Sequence, residues 1–367
     1  MTTLYAIGSN GSGQLGIGHK EDVSVPKPVL FDPTSQLKPI IQIRAGGNHT
    51  LFITSTGELF SSGDPSGGAR GLSSGTEISD LSVRKICLSA ETDAVISRSH
   101  TCLCAATWEA SIIVQKDETG RATKVYSIGI GNKGELGLGE LLFRSSKAEL
   151  IKDFPPMELE VVDVAASVTH VVAVLSNGDV YGWGNGRKGQ IGLPEGIIHS
   201  PRKIEGLPFK VVKAVCGREF TYLLSESSDG RHAILGSDKW EVRSSAPQSV
   251  GGWKDAGAGW GSIVVLLDNG SLLSWGRNDH GQQRPTAMPP VAQIAIGSEH
   301  SLALTNEGDV LAWGWGEHGN CGPSTINGDV KGTSNVIASG KYLPPGSAIS
   351  YIGAGCATSW VCLQAST

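Results

Sequence analysis

Short apolar segments separated by glycine-containing turns recur along the whole chain. The clearest unit, residues 291–322, contains a strand of small residues, a G-x-x-H turn, a second strand, a Glu-Gly turn and a third strand that ends in Trp-Gly. The same order is found in residues 161–192. The third strands are short and partly alternating, which is typical of β-strands, and no long window has the 3.6-residue period of a helix. The pattern therefore predicts an all-β array of repeats.

The glycine that ends each third strand marks the copies of this repeat. The intervals between these glycines are irregular, which indicates that the loops vary in length while the strands persist. Seven such glycines are found: Gly8, Gly63, Gly129, Gly184, Gly236, Gly276 and Gly314.

The two ends of the chain are each expected to supply part of one blade. Gly8 ends a third strand that no earlier strand precedes, and residues 352–363 contain only a first and a second strand. Joined, they predict a seven-bladed β-propeller, closed by N- and C-terminal strands that share one blade and forming a single domain over residues 1–367. A ring closed in this way has only short, protected edges. Glycine and alanine in the first strands fit positions near the axis, where large side chains would clash.

The order of the strands places two kinds of turn on opposite rims of such a ring. Because neighbouring strands are antiparallel, the G-x-x-H turns and the Trp-Gly ends of the third strands share one rim, here called the tryptophan rim. The Asn-Gly and Asp-Gly hairpins, such as Asn177-Gly178 and Asp229-Gly230, lie on the other, the hairpin rim.

Three tryptophans are expected to project from the tryptophan rim. Trp108 and Trp260 occupy the first variable position of a G-x-x-H turn, and Trp315 follows a Trp-Gly end. Large aromatic residues among polar ones are typical of a protein-binding hot spot. The alternative is that these tryptophans fold back over the axial channel. The polar residues expected beside them are Glu109, Glu219, Glu299, Glu317 and His318.

Other aromatic and histidine residues occupy repeat positions that predict structural roles. The tryptophans before the third-strand glycines are expected to pack between blades: Trp183, Trp275 and Trp313. Trp360 lies in a second strand and is expected in the core of its blade, whereas Trp240 and Trp253 lie in or near loops and receive no role. The histidines of the G-x-x-H turns are expected to form hydrogen bonds with backbone groups of the turn: His49, His170 and His300.

Composition narrows the possible functions. Hydrophobic residues make up 39% of the chain, which excludes a disordered protein. The net charge of −5 provides no basic excess for nucleic-acid binding, so direct binding is not expected, although residues 121–124 form a local basic patch. Seven cysteines form no paired framework, which indicates a reduced, intracellular protein, expected in the cytoplasm and also in the nucleus. No secretory leader and no membrane span is recognisable.

The sequence contains none of the motifs that would indicate catalysis. No G-x-S-x-G elbow, H-E-x-x-H helix or Walker loop occurs, so no catalytic residue is predicted and the protein is not expected to be an enzyme. The glycines from Gly8 to Gly13 follow a strand but open no helix, so no dinucleotide cofactor is predicted. Cys102 and Cys104 lack a second ligand pair at zinc-finger spacing, and no metal site is predicted.

Three segments resemble the G-Q-L-G signature of the regulator-of-chromosome-condensation repeat. They are residues 13–18 (GQLGIG), 134–139 (GELGLG) and 189–192 (GQIG). With the G-x-x-H and Trp-Gly elements, the resemblance covers nearly the whole chain and implies the seven-bladed fold. It does not determine the function, because this propeller serves in exchange factors, photoreceptors, ligase modules and inhibitors.

Three further segments are similar to parts of the fungal alpha-tubulin suppressor family: residues 5–22 (YAIGSNGSGQLGIGHKED), 313–323 (WGWGEHGNCGP) and 355–363 (GCATSWVCL). The resemblance implies a compact, non-enzymatic propeller without tails that forms a heterodimer with a small zinc/iron-binding electron carrier of diphthamide biosynthesis. It further implies a role in diphthamide synthesis on elongation factor two and, through Elongator, in the modification of tRNA wobble uridines.

The wider resemblance leaves other functions open. The first is guanine-nucleotide exchange on the Ran GTPase, which in that family uses a β-wedge hairpin and a basic N-terminal tail. This sequence shows no basic tail, and its only extended hairpin, residues 115–124, is too short for a wedge. An ultraviolet photoreceptor would carry repeated G-W-R-H-T motifs, whereas Trp260 is followed by Gly261 and Ser262. A β-lactamase-inhibitor-like binder would carry a secretory leader.

Overall fold

The computed structural model of the chain describes residues 2–31, 37–71, 81–86, 88 and 101–365. This part contains β-strands and two 3₁₀ turns, Lys239–Glu241 and Gly340–Tyr342, and none of its helical segments could span a membrane. In chain order the strands are β1 Thr2–Gly8, β2 Val23–Pro28, β3 Ile40–Ala45, β4 His49–Thr54, β5 Leu59–Gly63, β6 Arg84–Lys85, β7 Thr101–Ala106, β8 Ala110–Lys116, β9 Ala122–Ile130, β10 Arg144–Leu150, β11 Val161–Ser167, β12 His170–Leu175, β13 Val180–Asn185, β14 Ile197–Lys203, β15 Lys213–Cys216, β16 Phe220–Leu224, β17 His232–Gly236, β18 Trp253–Ala258, β19 Ser262–Leu267, β20 Leu272–Gly276, β21 Val291–Ile296, β22 His300–Thr305, β23 Asp309–Trp315, β24 Asp329–Ser339, β25 Ser347–Ala354 and β26 Thr358–Ala365.

The strands form seven sheets, the blades, around one axis. Blade 1 contains β3–β6, blade 2 β7–β10, blade 3 β11–β14, blade 4 β15–β17, blade 5 β18–β20, blade 6 β21–β24, and blade 7 β25, β26, β1 and β2. The first strand of each blade contacts the first strand of the next, and β25 contacts β3, so the ring closes. The prediction of an all-β, seven-bladed propeller is confirmed.

Blade 7 closes the ring with strands from both ends of the chain. β1 pairs with β26 in one uninterrupted register, from Thr2 opposite Gln364 to Gly8 opposite Thr358. β2 pairs with the outer edge of β1, so the N-terminal segment supplies the third and fourth strands of this blade. The shared blade that the sequence predicted is therefore present.

An outer fourth strand, which the repeat pattern did not predict, completes five of the blades. β10, with the sequence RSSKAEL, and β2, with VSVPKP, are largely exposed or half-buried. A strand at the solvent edge of a sheet does not need a buried apolar face, so its sequence carries little alternation. Blades 4 and 5 have three strands in the described part of the chain.

The hydrophobic core lies between neighbouring blades. Val172 and Val174 of blade 3, for example, pack with Ala214 and Leu223 of blade 4 in one cluster. The repeat-position tryptophans are buried as predicted, with Trp183, Trp313 and Trp360 at 0% exposure and Trp275 at 5%. The indoles of the third strands also donate hydrogen bonds to loop carbonyls of the preceding blade: Trp183 to Glu135 (2.9 Å), Trp275 to Val242 (2.7 Å) and Trp313 to Gln282 (3.1 Å).

The seven glycines that end the third strands share one backbone conformation. Each has a positive φ between 90° and 113° and pairs with the first residue of the second strand of its blade. A Cβ atom at Gly184 would lie 2.5 Å from the Thr169 carbonyl oxygen, and one at Gly314 would lie 2.6 Å from that of Glu299. Only glycine fits here, which explains why this residue marks the repeat.

The histidines of the G-x-x-H turns join neighbouring blades. The Nε2 atom of each lies within hydrogen-bonding distance of a hydroxyl in the next blade: His49 with Ser111 (2.9 Å), His170 with Thr221 (3.1 Å) and His300 with Ser359 (2.9 Å). The expected bond with backbone groups of the histidine's own turn is thus replaced by a contact between blades. Burial is the main cause that lowers the pKa of each of these histidines to about 4.

Candidate protein-binding site

The strand pairing confirms the two rims. His300, the last residue of a G-x-x-H turn, pairs with Gly314 at the end of a third strand, so these turns and the Trp-Gly ends lie side by side. The loop from a third strand to a fourth strand starts on the same rim, as in blade 2, where Arg144 pairs with Ile130. The tryptophan rim therefore consists of these two sets of loops.

Trp108 and Trp260 meet over the axis of the ring. Their ring centroids are 6.1 Å apart, although they belong to blades 2 and 5. Trp108 is 36% exposed and Trp260 is half-buried. A Cβ atom at Gly47 would lie 2.5 Å from the Trp108 ring, so this glycine leaves room for the indole. Of the two arrangements that the sequence left open, these two residues adopt the one that covers the channel.

The channel beneath the indoles has a volume of about 320 Å³. Small residues of the first strands line it, including Ala105, Ala165 and Ala295, as their position near the axis predicted. Charged residues line it as well: Arg44, Asp163, Lys213 and Asp255. Lys213 and Asp255 form an ion pair at 3.1 Å, which links blades 4 and 5.

Trp315 forms a second group with two histidines on blades 5 and 6. Its ring stacks on His280 at 5.3 Å with an interplanar angle of 22°, and it lies 6.4 Å from the ring of His318. The Nδ1 atom of His280 is 2.9 Å from Asp329, and that of His318 is 2.8 Å from Asp22 of blade 7. These contacts fix the half-buried indole in one orientation.

The acidic residues expected on this rim differ in their exposure. Glu109 and Glu317 are exposed and Glu219 is half-buried. The prediction that Glu299 projects from the rim is wrong, because its side chain is 3% exposed. It forms an ion pair with Arg277 and accepts a hydrogen bond from Gln282 at 2.8 Å. Burial is the largest influence on Glu299 and raises the pKa of its carboxyl, against the opposing effect of these partners.

Sequence reasoning missed a tryptophan–cation group on blades 4 and 5. Trp240 is 42% exposed and has a left-handed backbone with φ of 69°. The Arg277 guanidinium lies 4.8 Å from its ring centroid and the Lys239 ammonium 5.3 Å, while Arg218 lies 5.1 Å from that of Trp260. Arg218 could have been found from the sequence, because it holds the same turn position as Trp108 and Trp260.

Exposed apolar residues on the loops of blades 2 and 3 were also missed. Leu141 is 95% exposed, Phe143 56% and Leu193 78%. These residues lie between a third and a fourth strand and therefore on the tryptophan rim. The apolar run Leu141-Leu142-Phe143 was a signal for two of them, since a loop has no buried face that requires such residues.

The loops of the G-Q-L-G signature form a common local structure. The side chain of Gln14 accepts a hydrogen bond from the backbone N–H of Ser12 at 2.9 Å, and Gln190 accepts one from Lys188 at 2.9 Å. The following Leu15 and Ile191 are fully buried. The motif thus holds the loops that carry the rim in fixed positions.

Two further observations bear on function. In the described ranges, no three His, Cys, Asp or Glu side chains are grouped so as to hold a metal ion. The hairpin that could have served as a wedge is an extension of β8 and β9, which pair as far as Lys116 opposite Ala122 and are joined by a tight turn around Asp117 on the hairpin rim.

The fold and motifs match known proteins. An RCC1 repeat-containing protein of Schizosaccharomyces pombe is 30% identical over 318 residues, which cover 82% of this chain and 84% of that protein. The secretion-regulating guanine nucleotide exchange factor of Mus musculus is 28% identical, and the match covers 82% of this chain and 65% of that protein.

Among solved structures, Prp20p of Saccharomyces cerevisiae superposes with a TM-score of 0.82 at 20% identity, covering 100% of this chain and 92% of that one. At this identity the likeness shows the fold alone. The family model described as the RCC1-like domain matches residues 3–361. Together with the fission-yeast relative, this match shows that the chain belongs to the RCC1-like domain family.

Proposed function

We propose that the chain is a non-enzymatic, protein-binding propeller that forms a heterodimer with a small zinc/iron-binding electron carrier of diphthamide biosynthesis. In this role it regulates diphthamide synthesis on elongation factor two and, indirectly through Elongator, tRNA wobble-uridine modification, in the cytoplasm and also in the nucleus. The resemblance of residues 5–22, 313–323 and 355–363 to the fungal alpha-tubulin suppressor family supports this partner.

The tryptophan rim is the observation that carries the proposal. Trp108, Trp260 and Trp315 are half-buried or exposed, and each is held by neighbouring rings or cations. Side chains that are already ordered lose little conformational entropy when a partner binds, so more of the contact energy appears as affinity. The polar residues proposed to surround them at the interface are Glu109, Glu219, Glu317 and His318, while Glu299 acts from beneath by holding Arg277.

Binding of the carrier to the tryptophan rim would regulate which enzymes can reach the carrier. A small protein seated on the rim has part of its own surface covered, and enzymes that need this surface then have no access to it. The propeller would thereby select which client receives electrons without taking part in the transfer.

Complex formation with the purified, metal-loaded carrier is the first test. We expect a 1:1 complex in size-exclusion chromatography and a matching stoichiometry in calorimetry. The absence of both a shift in elution and a heat of binding at micromolar concentrations would contradict the proposed partner.

Replacement of Trp315 by alanine should weaken this complex by about 2 kcal/mol or more, a factor of about 30, because truncation removes an ordered aromatic contact. Tyr342→Ala is a matched control, since Tyr342 is 88% exposed and follows β24 on the hairpin rim. Calorimetry gives the affinity and thermal unfolding gives the stability. A lower melting temperature with unchanged affinity of the folded protein would assign Trp315 to packing instead of binding.

Guanine-nucleotide exchange on the Ran GTPase is the second candidate. It is favoured by the similarity to an exchange factor and by the structural likeness to Prp20p, whose structure was described together with its binding to Gsp1p and histones. The short hairpin of β8 and β9 argues against it. Release of labelled GDP from Ran decides between the two candidates, and an acceleration of about tenfold or more would favour exchange.

A further inference from the structure

Three tryptophans and three cations form one continuous cluster on the tryptophan rim. Trp108 contacts Trp260, and Arg218 lies over the Trp260 ring. A Cβ atom at Gly261 would lie 2.7 Å from the Trp240 ring, so Trp240 packs against Gly261, the residue that follows Trp260. We call this set the aromatic–cationic cluster; its members are Trp108, Trp240, Trp260, Arg218, Lys239 and Arg277.

The cations of this cluster differ in their pairing. Arg277 is neutralised, because it forms ion pairs with Glu299 and with Asp279, the latter at 2.6 Å. Arg218 and Lys239 are exposed and form no ion pair with any carboxylate in the described part of the chain. Two positive charges thus stand over indole rings with their solvent-facing N–H groups available to an anion.

Further charged residues of both signs lie near these two cations. Arg187 and Lys188 of blade 3 and Arg243 of blade 4 are exposed on loops of the same rim. Asp238, which precedes Lys239 in sequence, does not pair with it. Its carboxylate instead accepts hydrogen bonds from the backbone N–H groups of Arg243 (2.7 Å) and Ser244 (3.1 Å). Carboxylates lie on this rim as well, so the site for an anion is confined to the two unpaired cations, Arg218 and Lys239: Glu109, Glu195 and Glu241 are exposed and Glu219 is half-buried.

We propose that the aromatic–cationic cluster receives an acidic segment of a partner protein. Aspartate or glutamate carboxylates of this segment bind Arg218 and Lys239, and an adjacent apolar side chain packs against the exposed edge of Trp240. The inference rests on the proposed role as a protein-binding propeller, and it specifies the chemistry of the partner. The left-handed backbone of Trp240 is strained for a tryptophan, and strain of this kind clusters at functional sites.

A single-stranded nucleic acid would be the other polyanion to consider. Bases bind such proteins by stacking on free aromatic faces. Here Arg277 and Lys239 lie over the Trp240 ring, while Arg218 and Trp108 lie against the Trp260 ring. Stacking of a base would require displacement of these groups, whereas a carboxylate can bind the cations where they are. The geometry therefore favours an acidic peptide.

The test is fluorescence anisotropy with a labelled twelve-residue peptide of Glu and Asp with one central Phe. A lysine-based peptide of equal length and a twelve-nucleotide oligouridine are measured alongside. The unaltered chain is compared with the double variant Arg218→Gln/Lys239→Gln. The control is Lys152→Gln/Lys210→Gln, which removes the same charge from exposed residues on the hairpin rim.

We expect the acidic peptide to bind in preference to both other probes, and more weakly as the salt concentration rises. The Arg218/Lys239 variant should bind it at least about tenfold more weakly, whereas the control should bind it as the unaltered protein does. Circular dichroism and thermal unfolding check that both variants are folded. The inference is overturned if the peptide does not bind, if both double variants bind it equally, or if oligouridine binds more tightly and depends on the same two residues.

Calorimetry with the carrier on the same variants separates this inference from the proposed function. A carrier complex together with failure of the acidic peptide would overturn the acidic-segment inference and leave the heterodimer standing. Peptide binding that depends on Arg218 and Lys239, without any carrier complex, would support the inference and overturn the proposed partner.

Discussion

Replacement of Gly184 by alanine is expected to lower the free energy of unfolding by about 2 to 5 kcal/mol. The residue has φ of 98°, which costs an L-amino acid about 1–2 kcal/mol. The added Cβ atom would also lie 2.5 Å from the Thr169 carbonyl oxygen and 2.8 Å from the Cα atom of His170, so the backbone of the turn must shift at a further cost of about 1–3 kcal/mol. Urea denaturation measures the difference.

Gly206→Ala is the matched control for this experiment. Gly206 also has a positive φ, of 76°, but no atom lies within 4 Å of its would-be Cβ atom. Alanine there should cost only the conformational term of about 1–2 kcal/mol. Equal losses at Gly184 and Gly206 would mean that the contact with the neighbouring strand is not what requires glycine in the repeat.

Acidification is expected to destabilise the propeller well before its ordinary surface carboxylates are protonated. His49, His170 and His300 have pKa values of about 4, against about 6.5 in an unfolded chain, chiefly because burial disfavours the charged ring. Above pH 6.5 the histidines are neutral in both states. Between pH 6.5 and 4 the unfolded chain binds protons that the folded chain does not, so stability falls as the pH falls.

Each of these three histidines should contribute up to about 1.4 kcal/mol per pH unit near the middle of that range, at about pH 5, where the unfolded chain is protonated and the folded chain is not. His300→Gln removes one titrating group while its amide can still reach the Ser359 hydroxyl, so the slope of unfolding free energy against pH should decrease by about this amount. Val174→Ala, a buried substitution that changes no titratable group, should lower the free energy of unfolding at every pH and leave its slope against pH unchanged. A slope that His300→Gln does not alter would assign the acid sensitivity to other groups.

The architecture could be predicted from the sequence because the local sequence features of each repeat are consistent with one closed ring of blades. Three local features each satisfy a requirement of the backbone or of packing, and together they specify blades around an axis. They are the glycines at the third-strand ends, the turn dipeptides, and the small residues of the first strands. The buried positions of Trp183, Trp313 and Trp360 followed from the same repeat. The outer fourth strands, such as β10, could not be predicted in this way, because their largely exposed side chains leave no pattern.

The side-chain contacts on the tryptophan rim could not be predicted from the repeat pattern. Topology correctly placed Trp108, Trp260 and Trp315 on one rim, but their neighbours come from blades distant in sequence. Glu299 was expected to project, yet Arg277 lies where it can neutralise the buried carboxylate. Trp240 received no role, because its importance depends on Arg277 and Gly261 of the next blade.

The sequence by itself therefore determined the all-β class, the number of blades, the closure of the ring and the rim on which the candidate site lies. These properties depend on hydrophobic periodicity and on backbone conformations that few residues other than glycine can adopt. Residues close together in sequence determine both. Only the tertiary structure decided which side chains cover the channel, which carboxylate is buried and which cations remain unpaired. Such properties depend on packing and electrostatic contacts between blades, and distance along the chain does not reveal them.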